Sequence, residues 1–367
     1  MLGKDDTGEE QVTYCKKCDS IPEIAPKEGQ LFLWPPVSHI TGKILAAAKS
    51  IDLPVEKTAS VATLTINYSR PGLRDLIDAI SKDLLPEEMA ATKALIMPPK
   101  QSPEIDDISR ITSLNAIRAA IGAEWLGDVL RESRLNSAFQ PIFPISDFTA
   151  PYGHECLLRG VAADGSEITP GQLFDAAQSA TLLFQLDRAA RAANVRNAHK
   201  VGVTGNLFIN FTPSSIYDPD FCLRSTIEVV EECQIDRSSI VFEVIETEKV
   251  RSTSHLGHIL RSYRDSGFRV ALDDVGSGYS TLNMLPDLRP DIIKIDRELI
   301  DHVDHDNYKQ AIVSKLIDLA KQLGIEVIAE GIERQEELDF LTEHKVDYVQ
   351  GFLLGRPGPK PFTTGRA

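Results

Sequence analysis

Two adjacent carboxylates stand in Ala271-Leu272-Asp273-Asp274-Val275-Gly276-Ser277-Gly278-Tyr279-Ser280, between an apolar run of strand type and a glycine-rich turn. Acid oxygens are hard donors that suit a divalent cation. Side chains alternate faces along a strand, so neighbouring aspartates converge on one ion only if the backbone leaves the pleat there. Gly276 and Gly278 permit that departure. The same residues also make an ordinary Asp-Gly hairpin turn. Partners from other segments decide between the two.

Such partners recur where apolar runs end: Glu155 and Arg159, Asn210, Glu243, Lys294 with Asp296, Glu330, and Gln350. Glu243 lies inside Ile240-Val241-Phe242-Glu243-Val244-Ile245, and Glu330 follows Val327-Ile328-Ala329. An acid inside an apolar strand is costly unless something pairs with it, so a series of them on successive runs points to metal binding. Period-two geometry puts Glu155, Leu157 and Arg159 on one face, and Lys294 with Asp296 on another. An oxygen-rich set of Glu, Asn and Asp, without clustered Cys or His, suits Mg2+ or Mn2+ rather than a thiolate zinc site. Two such ions, roughly 4 Å apart, can hold a hydroxide and neutralise a phosphoryl group during in-line displacement.

The elements that must position these residues begin near Ser137, where short β-rich runs alternate with longer amphipathic stretches. Strands are expected at Ala138–Ile145, His154–Arg159, Leu207–Phe211, Ile240–Ile245, Arg269–Asp273, Asp291–Ile295, Glu326–Ala329 and Tyr348–Leu353. Helices are expected at Gln172–Ala180, Phe184–His199, Tyr308–Leu323 and Gln335–His344. This pattern predicts an α/β fold, a (β/α)8 TIM-like barrel whose first connection is too short for a helix, so that the first strand runs antiparallel. An open doubly wound sheet is the alternative. In a barrel the C-terminal strand ends ring one mouth, which brings distant residues together.

Ahead of the barrel, Leu31–Trp34 and Ala62–Ile66 read as strands and Gly72–Leu84 as a helix, in a smaller α/β region. The proline-rich stretch Met97–Pro103 breaks regular structure, and helices are expected around Ser109–Ile121 and Ala123–Ser133. The expected organisation is an N-terminal region at 1–100, a candidate regulatory unit, a helical linker at 101–133 and the barrel at 134–360. No catalytic constellation precedes residue 130.

Composition narrows the function classes. A net charge of −15 argues against a binder of nucleic-acid polymers, which needs clustered Lys and Arg. No apolar run is long enough to span a bilayer, and Met1–Glu10 is acidic without a secretory apolar segment. Five cysteines, at 15, 18, 156, 222 and 233, suit reduced thiols, and a cytoplasmic protein is expected. Cys15 and Cys18 have the spacing of half a zinc site, but no second pair follows. Asp301–Asp306 is expected to be a solvated loop, while Cys156 and His154 should face away from the Glu155 side.

Residues 137–358 resemble an EAL domain of the cyclic-di-GMP phosphodiesterases. The family's name motif stands as Glu155-Cys156-Leu157-Leu158-Arg159, its Asp-Asp loop as Asp273–Leu282, and its Lys-Ile-Asp motif as Lys294-Ile295-Asp296. Its Ala-Glu-Gly-Val-Glu motif stands as Ala329-Glu330-Gly331-Ile332-Glu333, its Gln-Gly-Tyr motif as Gln350-Gly351-Phe352, and its start as Phe139-Gln140-Pro141-Ile142. The resemblance implies a bacterial second-messenger hydrolase that opens cyclic di-GMP to linear pGpG with two Mg2+ or Mn2+ ions per site, and that pairs as a homodimer through this domain. It implies that Glu155, Asn210, Glu243 and Asp273 hold one metal, and that Asp273 bridges to a second beside Asp274. Lys294 and Asp296 serve the chemistry, Lys294 on the attacking water. Glu330 acts as base or second-metal ligand. Arg159, Gln350 and Gln140 contact substrate, and Glu246 and Glu333 support the loops. Cys156, Val275 and Ser277 depart from the motif's Ala, Phe and Thr. The rival readings are a catalytically silent cyclic-di-GMP receptor signalling through the N-terminal region, and an unrelated Mg2+-dependent barrel lyase.

Overall fold

Eight apolar runs pair edge to edge until the last meets the first. The computed structural model describes residues 21, 25–57, 63–216, 218–245, 253–276 and 281–362. Cys15, Cys18, Glu246 and Ser277–Ser280 lie outside the described residues. The barrel strands are β1 (Leu135–Pro144), β2 (Gly153–Val161), β3 (Asn206–Asn210), β4 (Ile240–Ile245), β5 (Arg269–Val275), β6 (Ile292–Ile295), β7 (Glu326–Ala329) and β8 (Tyr348–Val349). Strands β2 to β8 are parallel neighbours in sequence order, while β1 pairs antiparallel with both β2 and β8 and closes the ring. The expected barrel with an antiparallel first strand is therefore what forms. The β1–β2 hairpin leaves no room for a crossover helix. Strand β8 stops at Val349 rather than Leu353, although Gln350 N still donates to Ala329 O at 2.9 Å.

One layer of the barrel interior is apolar: Ile142, Phe208, Val241, Ala271, Ile292 and Ile328, one from each of six strands. Because the side-chain period is two, the next inward residue along each strand sits one layer nearer the mouth. Those residues are Gln140 on antiparallel β1, then Asn210, Glu243, Asp273, Lys294 and Glu330. The polar ring is thus set by the same alternation that fills the interior. Outward-facing residues such as Phe242, Val244, Leu272 and Ile293 pack under the surrounding helices with Cys156, as expected for that residue. Burying a side chain of that size stabilises the barrel by about 1.5–3 kcal/mol.

The helices expected at 172–180, 184–199, 308–323 and 335–344 are present as Pro170–Ala180, Leu183–Val201, Asn307–Leu323 and Gln335–Glu343. Asp306 caps Asn307–Leu323 by accepting from Tyr308 N and Lys309 N, and Gly324 ends it in the left-handed region.

By contact, the described residues of 1–132 with Gly171–Leu183 form one compact unit, and the described residues of 133–170 and 184–367 the other. The first contains a five-stranded antiparallel sheet of Glu28–Trp34, Val55–Lys57, Leu64–Ser69, Lys93–Met97 and Thr112–Ser113. The order of its first four strands and of helices Ser38–Ser50 and Arg70–Asp83 is the split β-α-β-β-α-β arrangement. Three of these strands are absent from the sequence reading, being short or flanked by turn residues. The helix expected from Ser109 starts at Leu114 instead, because Ser113 accepts from Ala116 N at 3.1 Å and caps it there. A 3-10 turn, Ile105–Arg110, occupies the preceding residues.

Candidate active site

Lys294 is the centre of the mouth. It is 1% exposed, and its Nζ lies 2.6 Å from Glu243 Oε1, 2.7 Å from Glu330 Oε1, 3.2 Å from Asp273 Oδ1 and 3.7 Å from Glu155 Oε2. Four carboxylates from β2, β4, β5 and the end of β7 thus converge on one ammonium. Asn210 Nδ2 donates to Glu155 Oε1 at 3.2 Å and to Glu243 Oε2 at 3.1 Å, which leaves its Oδ1 as the free type of donor atom for a cation. Gln350 Nε2 donates to Glu155 Oε2 at 2.8 Å.

The Asp-Asp departure from the pleat is present. The β5–β6 register shifts between Leu272 and Val275, and Asp274 takes φ +56°. The bulge turns Asp274 to the same side as Asp273, so ligand atoms of Asp273, Asp274 and Glu330 lie within 4.8 Å of one another. Gly276, at φ +108°, passes so close to Leu299 that a Cβ would lie 2.2 Å from its Cδ1. Both the conformation and the contact require glycine there. Asp274 N closes the turn on Asp273 Oδ1 at 3.0 Å.

The charges do not balance. Burial pushes Glu330 up to about 8 and Asp274 to about 6, with neighbouring carboxylates adding to the rise and Lys294 opposing it. Glu243 and Asp273 are raised for the same reasons. For Lys294, burial works against its charge, but the surrounding carboxylates outweigh it and hold the ammonium protonated. One cation among this many acids leaves a negative excess that bound divalent ions can neutralise. The donor set is all oxygen, as Mg2+ or Mn2+ prefers, so these residues fit such ions.

Other expected site residues are distributed around this centre. Asp296 hydrogen-bonds the Asp274 side chain and caps the turn Arg297–Ile300 by accepting from Glu298 N at 2.6 Å, so it supports the second aspartate rather than Lys294. Gln140 Nε2 reaches Gly355 O at 3.3 Å. Glu333 pairs with Arg297 Nη2 at 2.9 Å. Arg159, on β2, pairs with Glu167 at 3.3 Å and donates to Leu158 O at 2.8 Å. His154 faces away from Glu155 as expected; burial pulls it down to about 4, and it accepts from Phe362 N at 3.1 Å. The Asp301–Asp306 loop is less solvated than expected, because Asp304 pairs with Arg334 and Val303 is fully buried.

A cavity of about 190 Å3 opens beside the carboxylates, lined by Gln140, Glu155, Glu330, Gln350, Arg297 and Phe352 among others. Arg297 and Phe352 are absent from the sequence reading's site residues. Arg297 lies across Gly331, where a Cβ would come within 2.3 Å of its Cγ, and the Arg356 guanidinium sits 4.2 Å over the Phe352 ring. An Arg directly after Lys-Ile-Asp was the only available signal for the first.

Residues 123–357 match the family model described as the EAL domain. A probable cyclic di-GMP phosphodiesterase of Escherichia coli K12, PdeG, is 31% identical over 252 residues, which make up 65% of this chain and 48% of that protein. The chain thus spans about half the length of that relative, and less of several others. The cyclic-di-GMP-bound structure of a standalone EAL protein from Vibrio cholerae O395 aligns with 32% identity and a TM-score of 0.57, over 63% of this chain and 95% of that one. BlrP1 of Klebsiella pneumoniae, solved with manganese and cyclic di-GMP, shares 23% identity, and its fold covers 90% of this chain with a TM-score of 0.55. The family model covers well over half of the 367 residues, and the chain belongs to the EAL domain family.

Proposed function

We propose that this chain hydrolyses cyclic di-GMP to linear pGpG, using Mg2+ or Mn2+, two per site. The observation that carries the proposal is the convergence of Glu155, Glu243, Asp273 and Glu330 on the buried Lys294, with Asn210 and Asp274 beside them. Glu155, Asn210, Glu243 and Asp273 would hold one cation, and Asp273 with Asp274 a second. The bound ions supply charge neutralisation at the phosphoryl group and a more acidic water.

The remaining work falls to the chain's own groups. Lys294 keeps its ammonium and stabilises negative charge building on the phosphoryl oxygens, while Glu330, 2.7 Å from it, accepts the proton of the attacking water. Gln140, Gln350 and Arg297 present donors from the cavity wall, and the 41%-exposed Phe352 offers an apolar face to a base. Arg159 would reach substrate only by leaving Glu167. The named activity of PdeG and the bound nucleotide of the Vibrio cholerae structure support the substrate class. Pairing through the barrel domain, regulation through residues 1–132 and a cytoplasmic setting that keeps Cys156, Cys222 and Cys233 reduced complete the proposal.

The test is incubation of the full chain with cyclic di-GMP and Mg2+ or Mn2+, followed by chromatography. The expected product is pGpG. Tight nucleotide binding without product would replace this reading with the silent receptor.

A further inference from the structure

A buried ion pair lies outside the mouth. Asp187 and Arg191, one turn apart on helix Leu183–Val201, are 2% and 0% exposed, with Asp187 Oδ2 3.1 Å from Arg191 Nη2. Arg191 Nη1 donates to Tyr263 Oη at 2.9 Å and to Thr226 Oγ1 at 3.2 Å, so the guanidinium ties three helices together. Burial holds Tyr263 well above the usual phenol range, leaving a neutral hydroxyl to accept that bond.

The other oxygen of Asp187 turns toward the barrel. Asp187 Oδ1 accepts from Thr212 N at 2.7 Å, two residues beyond Asn210. The chain leaving β3 is then fixed at consecutive points: Phe211 N donates to Glu243 O at 3.2 Å, Thr212 N to Asp187, and Thr212 O accepts from Ser215 N at 3.0 Å. Phe211 stacks on Tyr263, with centroids 5.0 Å apart, so the aromatic ring and the ion pair brace the same turn. A helix that packs only by apolar contact does not need a buried, charged anchor, because an ion pair of this kind is often no more stable than apolar replacements. What it gives instead is a fixed direction for one backbone N–H.

We propose that Asp187 is a positioning residue: oriented by Arg191, it anchors Thr212 N and thereby fixes Asn210 as a cation ligand. The inference rests on the proposed metal-dependent reading of the mouth. Both amide hydrogens of Asn210 are committed to Glu155 and Glu243, and the bonds of Phe211 N and Thr212 N hold the backbone from which that amide is presented. Outer-shell partners of this kind typically change metal affinity or activity by about 10–100-fold when removed.

The test compares two double variants of the full chain, Asp187→Asn/Arg191→Met and Asp187→Leu/Arg191→Met. Both remove the buried charges, and only the first retains an acceptor for Thr212 N. Mn2+ binding measured calorimetrically without nucleotide should stay within about threefold of wild type for the first and weaken at least about tenfold for the second. Equal Mn2+ affinities in the two variants overturn the proposal. Amide hydrogen exchange of the metal-free wild-type chain serves if the leucine variant fails to fold: Thr212 N should be protected as strongly as the β3 amides, and exchange at loop rates overturns the anchor. Absence of pGpG formation by wild type, with these binding differences intact, would count against the proposed reaction and leave the anchor standing.

Discussion

The two ends of the barrel carry polar clusters separated by a single apolar layer, and they differ in how their charges balance. At the floor, where the parallel strands begin, Arg269 pairs with Glu326 and with Tyr152 Oη, while Tyr348 Oη donates to Glu326 at 3.0 Å and stacks on Tyr152 with centroids 3.8 Å apart. One cation meets one anion and two phenols. At the mouth, four carboxylates meet one ammonium. A balanced cluster serves as a structural plug. A cluster with a buried excess of one sign suits something of the opposite sign, and that imbalance supports placing the proposed chemistry at this end.

The sharpest way to break this contrast is to remove a mouth carboxylate. Glu155→Ala deletes a proposed ligand, takes one of two acceptors from Asn210 and removes the acceptor of Gln350 Nε2. Turnover of cyclic di-GMP should fall by about 10³-fold or more, since metal activation contributes several kcal/mol to the barrier. Activity within tenfold of wild type would mean the excess charge is not the working part. Glu330→Gln should act more selectively. It keeps the size of the side chain but loses the proton acceptor, so kcat should drop by about 10²–10⁴-fold while KM stays within about threefold. A matching rise in KM would instead assign Glu330 to substrate or metal binding alone.

The imbalance also has a pH signature. Glu330, raised from an ordinary 4.5 to about 8, is protonated in the folded metal-free chain where the unfolded chain has already ionised it. The folded state then holds more protons than the unfolded state, so stability falls as pH rises from about 4.5 to 8 and levels off above that. Asp274, raised to about 6, adds to the loss over the lower part of that window. Mn2+ binding removes the penalty. At about 100 times its dissociation constant the ion adds about 2.7 kcal/mol, and Tm near pH 8 should rise by roughly 5–10 °C. Scanning calorimetry at pH 5 and pH 8, with and without Mn2+, checks the sign. A metal-free Tm that increases across this window would refute the account.

Much of the mouth was legible in the sequence because the code is short-range there. Alternation places Asn210, Glu243, Asp273, Lys294 and Glu330 two residues beyond apolar lumen residues, and adjacent aspartates before glycine announce a bulge. Arg159 shows where that code ends: alternation fixes its face, but a long side chain on that face still chooses its partner, and here it pairs with Glu167. Arg297 was missed because it follows the strand, where no periodicity applies. The Asp187–Arg191 pair looks like an ordinary i,i+4 surface pair, and only the packing of helices Pro219–Glu232 and Thr253–Asp265 around it makes it buried. The N-terminal sheet was read incompletely because its strands Val55–Lys57 and Thr112–Ser113 are too short to show a period.

The smallest expected effect on turnover comes from the floor, and it tests the comparison from the other side. Glu326→Leu alone leaves Arg269 with only Tyr152 as partner, and should cost about 1 kcal/mol, a modest figure because Glu326 is more than a third exposed and water screens the pair. Adding Arg269→Met removes the orphaned charge, and the double variant should return to within about 1 kcal/mol of wild type in denaturant unfolding, as balanced pairs replaced by apolar groups commonly do. Cyclic-di-GMP turnover should remain within about twofold in both variants, because the layer of Ile142, Phe208, Val241, Ala271, Ile292 and Ile328 stands between the floor and the carboxylates. A tenfold loss of turnover in the stable double variant would show that the apolar layer transmits what happens below it, and the division of the barrel into a plug and a working end would fail.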